Sequence, residues 1–126
     1  MSHVKNRDTK PEMLLRSLLH KNGYRYRLHK KDLPGSPDIV LPKYKSIIFV
    51  NGCFWHGHKN CRASRLPSTN KNYWENKIQE NRKRDSKVNR ELIQLGWKVI
   101  TVWQCQIKTK PKLEKQFNKL MMELIN

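Results

Sequence analysis

Three potential metal ligands lie close together in the middle of the chain. Cys53, His58 and Cys61 are separated by four and two residues, in a stretch (51–70) without helical or strand periodicity. A further cysteine, Cys105, follows an apolar segment much later in the chain. Three cysteines and one histidine form a closed tetrahedral zinc set with no open position, so such a site is structural. The spacing predicts a zinc ion that holds a loop unable to bury a core of its own.

The same residues allow two other interpretations. The cysteines can be small buried hydrophobic side chains with His58 incidental, or Cys53 and Cys61 can form a disulfide. With three cysteines, at least one lacks an intramolecular disulfide partner, and the polar N-terminus does not have the pattern of a signal peptide. The sequence therefore predicts a cytosolic protein, and a reducing compartment favours zinc over a disulfide.

The charge of the chain indicates the class of its partner. The 126 residues include 27 Lys and Arg against 10 Asp and Glu, a formal net charge of +17. Self-repulsion at this charge opposes compaction, so a polyanion whose counterions are released on binding, above all nucleic acid, is the expected partner. A merely soluble basic surface is the alternative. No segment approaches the roughly 20 apolar residues of a membrane span.

Periodicity predicts one α/β domain over residues 1–126, with a mixed sheet and helices on its faces. The first helix begins near Thr9, where residues 9–12 have the capping-box pattern, and ends at Asn22-Gly23. A strand over 97–103 is expected at the centre of the sheet, with Trp97 and Trp103 in the core. The remaining predicted elements are strands at 24–28, 38–41 and 46–50, the last two forming a hairpin, and helices at 72–95 and 110–125.

Three polar residues are candidates for phosphodiester chemistry. Asp38 follows a Pro-Gly-Ser-Pro turn, where a carboxylate either caps the turn or binds Mg²⁺. His56 is either a general acid or base or an alternative metal ligand. Glu12 completes the capping box, and the local sequence favours this role over orienting a catalytic histidine or water.

Aromatic residues accompany the basic ones. Phe54 and Trp55 are adjacent in the 51–70 loop, and Trp74 lies at the start of the basic helix. Rings on loops beside positive charge are suited to wedging between bases. The alternative is that one ring packs on the zinc-binding loop and the others join the core.

Together these motifs resemble those of the very-short-patch repair (Vsr) DNA mismatch endonucleases. The similarity covers nearly the whole chain, in order, through RDTKPE (7–12), PGSPDIV (34–40), FVNGCFWHGH (49–58), YWENKI (73–78) and LGWKVITVWQC (95–105). The resemblance implies a restriction-endonuclease-like α/β fold, a mixed sheet flanked by helices, with a structural zinc site.

The resemblance also implies a role for each matching residue. Asp38 and the backbone carbonyl of Val50 would bind Mg²⁺, and His56, supported by Glu12, would act on the attacking water. Asp85 falls on a supporting acidic position. The implied zinc ligands are Cys53, His58, Cys61 and Cys105, and the implied DNA contacts are Phe54, Trp55, Trp74, Lys77, Asn81 and Met1.

The implied activity is Mg²⁺-dependent nicking of one strand 5′ to the thymine of a T:G mismatch left by deamination of 5-methylcytosine. The implied enzyme is a monomer that acts on mismatched duplex DNA at the nucleoid in the bacterial cytosol. It would be functionally linked to a cytosine-5 DNA methyltransferase and to mismatch-repair proteins. Two alternatives remain: a non-catalytic zinc-stapled DNA-binding module, and a nuclease of the same fold with a restriction or defence specificity.

Three departures from the family pattern affect these expectations. Asn51, kept as a catalytic candidate, stands where the best-known members have a second histidine, and an amide does not shuttle protons at neutral pH. The arm at 1–8 is shorter than the extension with which members clamp DNA, and Met1 aligns with a residue inserted into the groove. One extra residue separates His58 from Cys61.

Overall fold

The computed structural model describes residues 10–28, 31–59, 61–62 and 65–125. Among them, the regular elements in chain order are α1 (Lys10–Lys21), β1 (Arg27–Leu28), β2 (Ile39–Leu41), β3 (Ser46–Asn51), α2 (Lys71–Gln94), β4 (Lys98–Trp103) and α3 (Lys110–Ile125). None of the helices described has the length and apolar character needed to cross a membrane.

The strands form one mixed sheet in the order β1-β2-β3-β4. The pairs β1–β2 and β2–β3 are antiparallel, and the predicted hairpin is confirmed, with a short 3₁₀ helix (Pro42–Tyr44) between its strands. The pair β3–β4 is parallel, with Ser46 opposite Lys98 and Asn51 opposite Trp103. Helix α2 is the crossover connection between these two strands. Because β3 and β4 run in the same direction, their C-terminal ends lie side by side.

Helices cover both faces of the sheet. Successive residues of a strand point to opposite faces, so Ile48 and Val50 contribute to one core while Ile47 and Phe49 contribute to the other. The first core also contains apolar residues of α1 and α3, and the second contains residues of α2, including Leu92. This mixed sheet between helices is the predicted fold class.

The prediction that residues 97–103 form the central strand is wrong. β4 pairs only with β3 in the described sheet and is therefore at its edge, while β3 is inside. The strand is apolar on both sides because helices cover both faces of the sheet as far as β4. A continuous apolar run therefore indicates that both faces are buried, and it does not indicate a central position in the sheet. Trp97 is half-buried and packs against the second core, and the Nζ of Lys45 lies 4.8 Å from its ring centroid.

The turn before β2 lies directly against α2. Gly35 has φ +75°, and a Cβ added there would lie 2.5 Å from Cγ1 of Val88 in α2. Since real side-chain carbons do not approach so closely, glycine is needed here both for its backbone conformation and for the contact. This contact sets the position of the chain that leads into Asp38.

We expect Gly35→Ala to lower the free energy of unfolding by about 2–4 kcal/mol, from left-handed strain and overpacking together. Gly23→Ala is the matched control, because Gly23 has φ +81° with no atom within 4 Å of an added Cβ. It should lose only the strain component, about 1–2 kcal/mol. Urea denaturation of both variants measures the difference, and equal losses would contradict the close contact with α2.

Candidate active site and metal-binding cluster

A cleft of about 530 Å³ opens where β3 ends. The turn before β2, the end of β3, the loop that follows it and one side of α2 form its walls. Its polar lining residues are Ser36, Asp38, Asn51, His56, Arg84, Asp85, Asn89 and Thr101. The cleft therefore gathers Asp38, Asn51 and His56, three of the residues predicted for catalysis, around one space.

Asp38 is held beside the end of β3. The backbone N–H of Val50 donates a hydrogen bond of 2.8 Å to Oδ2 of Asp38. Val50 itself is buried, so its peptide is a rigid anchor for the half-buried carboxylate. A fixed carboxylate in a polar cleft is the hard oxygen donor that Mg²⁺ prefers, and the predicted carbonyl ligand belongs to the same residue, Val50.

His56 is oriented by a carboxylate from α2. Its Nδ1 lies 2.5 Å from Oδ2 of Asp85, and the two side chains are 29% and 34% exposed. A carboxylate on Nδ1 keeps the proton there and leaves Nε2 available to accept another. The loop reaches α2 because Gly57 has no side chain: with φ +60°, an added Cβ would lie 2.6 Å from Cγ2 of Ile78.

Glu12 lies on α1, where it is buried. It is 1% exposed on α1, and its Oε2 is 3.0 Å from a guanidinium nitrogen of Arg16. It is not among the described residues that line the cleft. Support of His56 by Glu12 therefore stays a prediction. Thr9, its predicted capping partner, and Met1 lie outside the described residues.

The predicted DNA-wedging rings form one aromatic cluster. Phe54, Trp55 and Trp74 meet edge to face with centroids 5.2–5.7 Å apart, and all three are half-buried. Tyr73, which is 60% exposed, extends the cluster from Trp74 at 5.1 Å. Nδ2 of Asn81 donates to the carbonyl of Trp55 at 2.8 Å, so α2 holds the backbone of this loop.

Lys77 and Asn81, the other two DNA contacts predicted on α2, differ in environment. Lys77 is exposed, whereas Asn81 is half-buried and uses its amide N–H on the aromatic loop. The amide oxygen of Asn81 is not needed for that bond. Any contact of either residue with a mismatch stays a prediction.

The four predicted zinc ligands meet in space. One donor atom from each of Cys53, His58, Cys61 and Cys105 lies within 4.8 Å of the others. Cys53 is 3% exposed, and burial raises the pKa of its thiol to about 12. A buried thiolate needs a cation nearby, and a Cys₃His set at these separations fits a tetrahedral metal such as zinc.

Trp103 joins the metal-binding cluster to the cleft. Its ring stacks on that of His58 with centroids 4.1 Å apart and planes inclined by 10°, and the ring centroid of His56 is 6.4 Å away. Trp103 is half-buried, so its predicted place in the core is wrong. Its position follows from the parallel register, which brings the end of β4 beside the loop that follows β3.

Sequence reasoning missed several residues of the cleft wall, among them Arg84 and Asn89. Both line the cleft from α2 together with Asp85 and Val88. Arg84 and Val88 are four residues apart, as are Asp85 and Asn89, and this spacing puts them on one side of the helix. Because α2 has charged residues on every side, the sequence did not distinguish the side that faces the cleft.

Comparison with known proteins gives consistent similarities. A family model described as DNA mismatch endonuclease Vsr matches residues 1–62. The chain is 47% identical over 121 residues to Type II nicking enzyme V.XorIIP of Xanthomonas oryzae pv. oryzae, covering 96% of this chain and 88% of that protein. It is 40% identical over 113 residues to DNA mismatch endonuclease Vsr of Escherichia coli (strain K12), covering 90% and 72%. Type II nicking enzyme V.NmeAIP of Neisseria meningitidis is 43% identical over 124 residues, covering 98% and 88%.

Proposed function

This chain belongs to the DNA mismatch endonuclease Vsr family, and from that membership we propose that it nicks one strand of duplex DNA 5′ to the thymine of a T:G mismatch. The observation that carries the proposal is the meeting of Asp38 with the His56–Asp85 pair in one cleft. A fixed carboxylate and an oriented imidazole are the groups that hydrolysis of a phosphodiester requires.

His56 is the proposed general base. With Nδ1 held by Asp85, Nε2 takes the proton of the attacking water, and the carboxylate stabilises the imidazolium that results. Asn51, in the same cleft, offers hydrogen bonds to a phosphate oxygen or a water without taking a proton. The products are a 3′-hydroxyl and a 5′-phosphate.

Asp38 and the Val50 carbonyl are the proposed Mg²⁺ ligands. The hydrogen bond from the Val50 N–H orients the carboxylate of Asp38 before metal or DNA arrives. When bound, Mg²⁺ neutralises charge that develops on the scissile phosphate. Zinc is proposed for the separate cluster of Cys53, His58, Cys61 and Cys105, where four protein ligands leave no position for substrate.

Phe54, Trp55 and Trp74 are the proposed sensors of the mismatch. Their rings form one patch, with Phe54 and Trp55 on the same loop as His56 and Trp74 on α2. Unstacking costs least where pairing is already poor, so a wedge of rings selects a mismatch over a matched step. The net charge of +17 supplies affinity for duplex DNA of any sequence.

The proposed substrate arises in methylated DNA. Deamination of 5-methylcytosine leaves thymine opposite guanine, so the activity is linked to a cytosine-5 DNA methyltransferase and to mismatch repair in the bacterial cytosol. We propose that the enzyme acts as a monomer.

A nicking assay tests the proposal. Purified protein with Mg²⁺ is incubated with T:G-mismatched, matched and single-stranded oligonucleotides of one sequence, with EDTA as the metal-free control. We expect one nick, 5′ to the mismatched thymine, in the mismatched duplex only and only with Mg²⁺.

The other outcomes separate the alternatives. Equal cutting of matched duplex would indicate a nuclease with restriction or defence specificity. Tight binding without a nick would indicate a DNA-binding module in which Asn51 has replaced a necessary histidine.

A further inference from the structure

Arg84 supplies permanent positive charge within the cleft. Of the described residues that line the cleft, it is the one that is cationic at every physiological pH, while Asp38 and Asp85 contribute carboxylates. A DNA phosphate that enters this space is repelled by both carboxylates. A positive charge at the cleft, in addition to the Mg²⁺ proposed on Asp38, offsets part of this repulsion.

The position of Arg84 relative to the general base is set by α2. Arg84 directly precedes Asp85, which holds His56, so their Cα atoms are about 3.8 Å apart. Arg84 is exposed whereas Asp85 is half-buried, so the guanidinium belongs to the outer part of the cleft wall. Asn89, on the same helix, and Ser36, in the opposite turn, add neutral hydrogen-bonding groups to the lining.

We propose that Arg84 binds one DNA phosphate that flanks the scissile phosphate and so aligns the strand with His56. The inference rests on the proposed nicking function, in which Asp38 and His56 act at the scissile phosphate itself. A guanidinium suits this task because its planar fork donates two parallel hydrogen bonds to phosphate oxygens. Because Arg84 and Asp85 are neighbours on α2, a phosphate bound by Arg84 lies at a defined position relative to the His56–Asp85 pair.

Charge-neutral phosphates test the contact. T:G duplexes are made with a single methylphosphonate at each of the three phosphates on either side of the nick. Single-turnover nicking with Mg²⁺ and equilibrium binding in EDTA are measured for wild type, Arg84→Ala, Arg84→Lys and Arg90→Ala. Arg90 is exposed on the same helix and is not among the described lining residues, so its variant loses the same charge elsewhere.

We expect Arg84→Ala to slow nicking about 100-fold, the usual loss when a reacting group is misplaced. A methylphosphonate at one position should slow nicking by wild type as much as Arg84→Ala does. The same methylphosphonate should not slow Arg84→Ala further, because the contact between the arginine and that phosphate is already lost. Arg84→Lys should retain part of the nicking rate that Arg84→Ala loses. In Arg90→Ala, the effect of the substitution and the effect of the methylphosphonate at that position should simply add. Unchanged zinc content and melting temperature exclude a folding defect.

Additive effects of Arg84→Ala at all positions would overturn the proposal. Loss of the proposed nicking function is separable from this result. If wild type does not nick, the same comparison is made with binding affinity. Coupling between Arg84→Ala and one methylphosphonate in binding would support the contact, whereas additive effects at every position would refute it.

Discussion

Replacing His56 with alanine is expected to lower the single-turnover nicking rate by about 10²–10⁴-fold, the usual contribution of a general base. Affinity for the mismatched duplex should change by less than about threefold, because the charge that binds DNA is spread over the whole chain. The half-exposed position of the side chain makes a folding defect unexpected. Nicking and binding are measured on the same T:G oligonucleotide.

Asp85→Asn is the graded companion of this variant. The amide still reaches Nδ1 of His56 but does not stabilise the imidazolium, so we expect a loss of about 10–100-fold, smaller than that of His56→Ala. If the nicking rate of His56→Ala were within about tenfold of the wild-type rate, His56 would not be the general base. A loss in Asp85→Asn greater than that in His56→Ala would show that Asp85 acts otherwise than through His56.

Removal of zinc is expected to abolish nicking and to destabilise the loop that contains Phe54, Trp55 and His56. Structural zinc binding is worth on the order of 10 kcal/mol in small metal-dependent folds, far more than this loop gains from apolar burial. Protein as purified should contain one zinc per chain. After chelation, Mg²⁺ alone should not restore activity, whereas zinc followed by Mg²⁺ should.

Variants of the loop locate the metal. Cys105→Ser should lose zinc and nicking together, while Lys59→Ala, an exposed position between His58 and Cys61, should retain both. Substitution by Co²⁺ provides a spectroscopic readout, because tetrahedral thiolate coordination absorbs in the visible range. Metal-free protein with full stability and full nicking activity would contradict a structural role.

The parts of the fold that sequence predicts well are those whose pattern has a local cause. The last helix was predicted at 110–125 and is observed at Lys110–Ile125, since its apolar residues repeat at helical spacing. The strand at 46–50 is likewise found, at Ser46–Asn51. The place of β4 in the sheet was not predictable, because strand order depends on pairing between distant residues. When helices cover both faces of a sheet, the pattern of apolar residues in an edge strand is the same as that in an interior strand.

The site divides in a similar way. Spacing alone grouped Cys53, His58 and Cys61, because loop ligands so close in sequence can reach one ion. Asp85 was assigned only through family resemblance, since nothing in a charged helix marks the carboxylate that faces His56. Arg84 was missed because its place in the cleft depends on which side of α2 faces that space. Trp103 was wrongly assigned to the core because its contact with His58 depends on the register of β4.

The parallel pairing of β3 with β4 also determines when during synthesis the metal-binding cluster can close. Cys105 and His58 are 47 positions apart, so the metal cluster closes only after α2 and β4 have left the ribosome and docked. Contacts of such long sequence separation form late, since a long loop must close first. A nascent chain, or one that ends before Cys105, therefore carries positive charge without a complete metal-binding cluster.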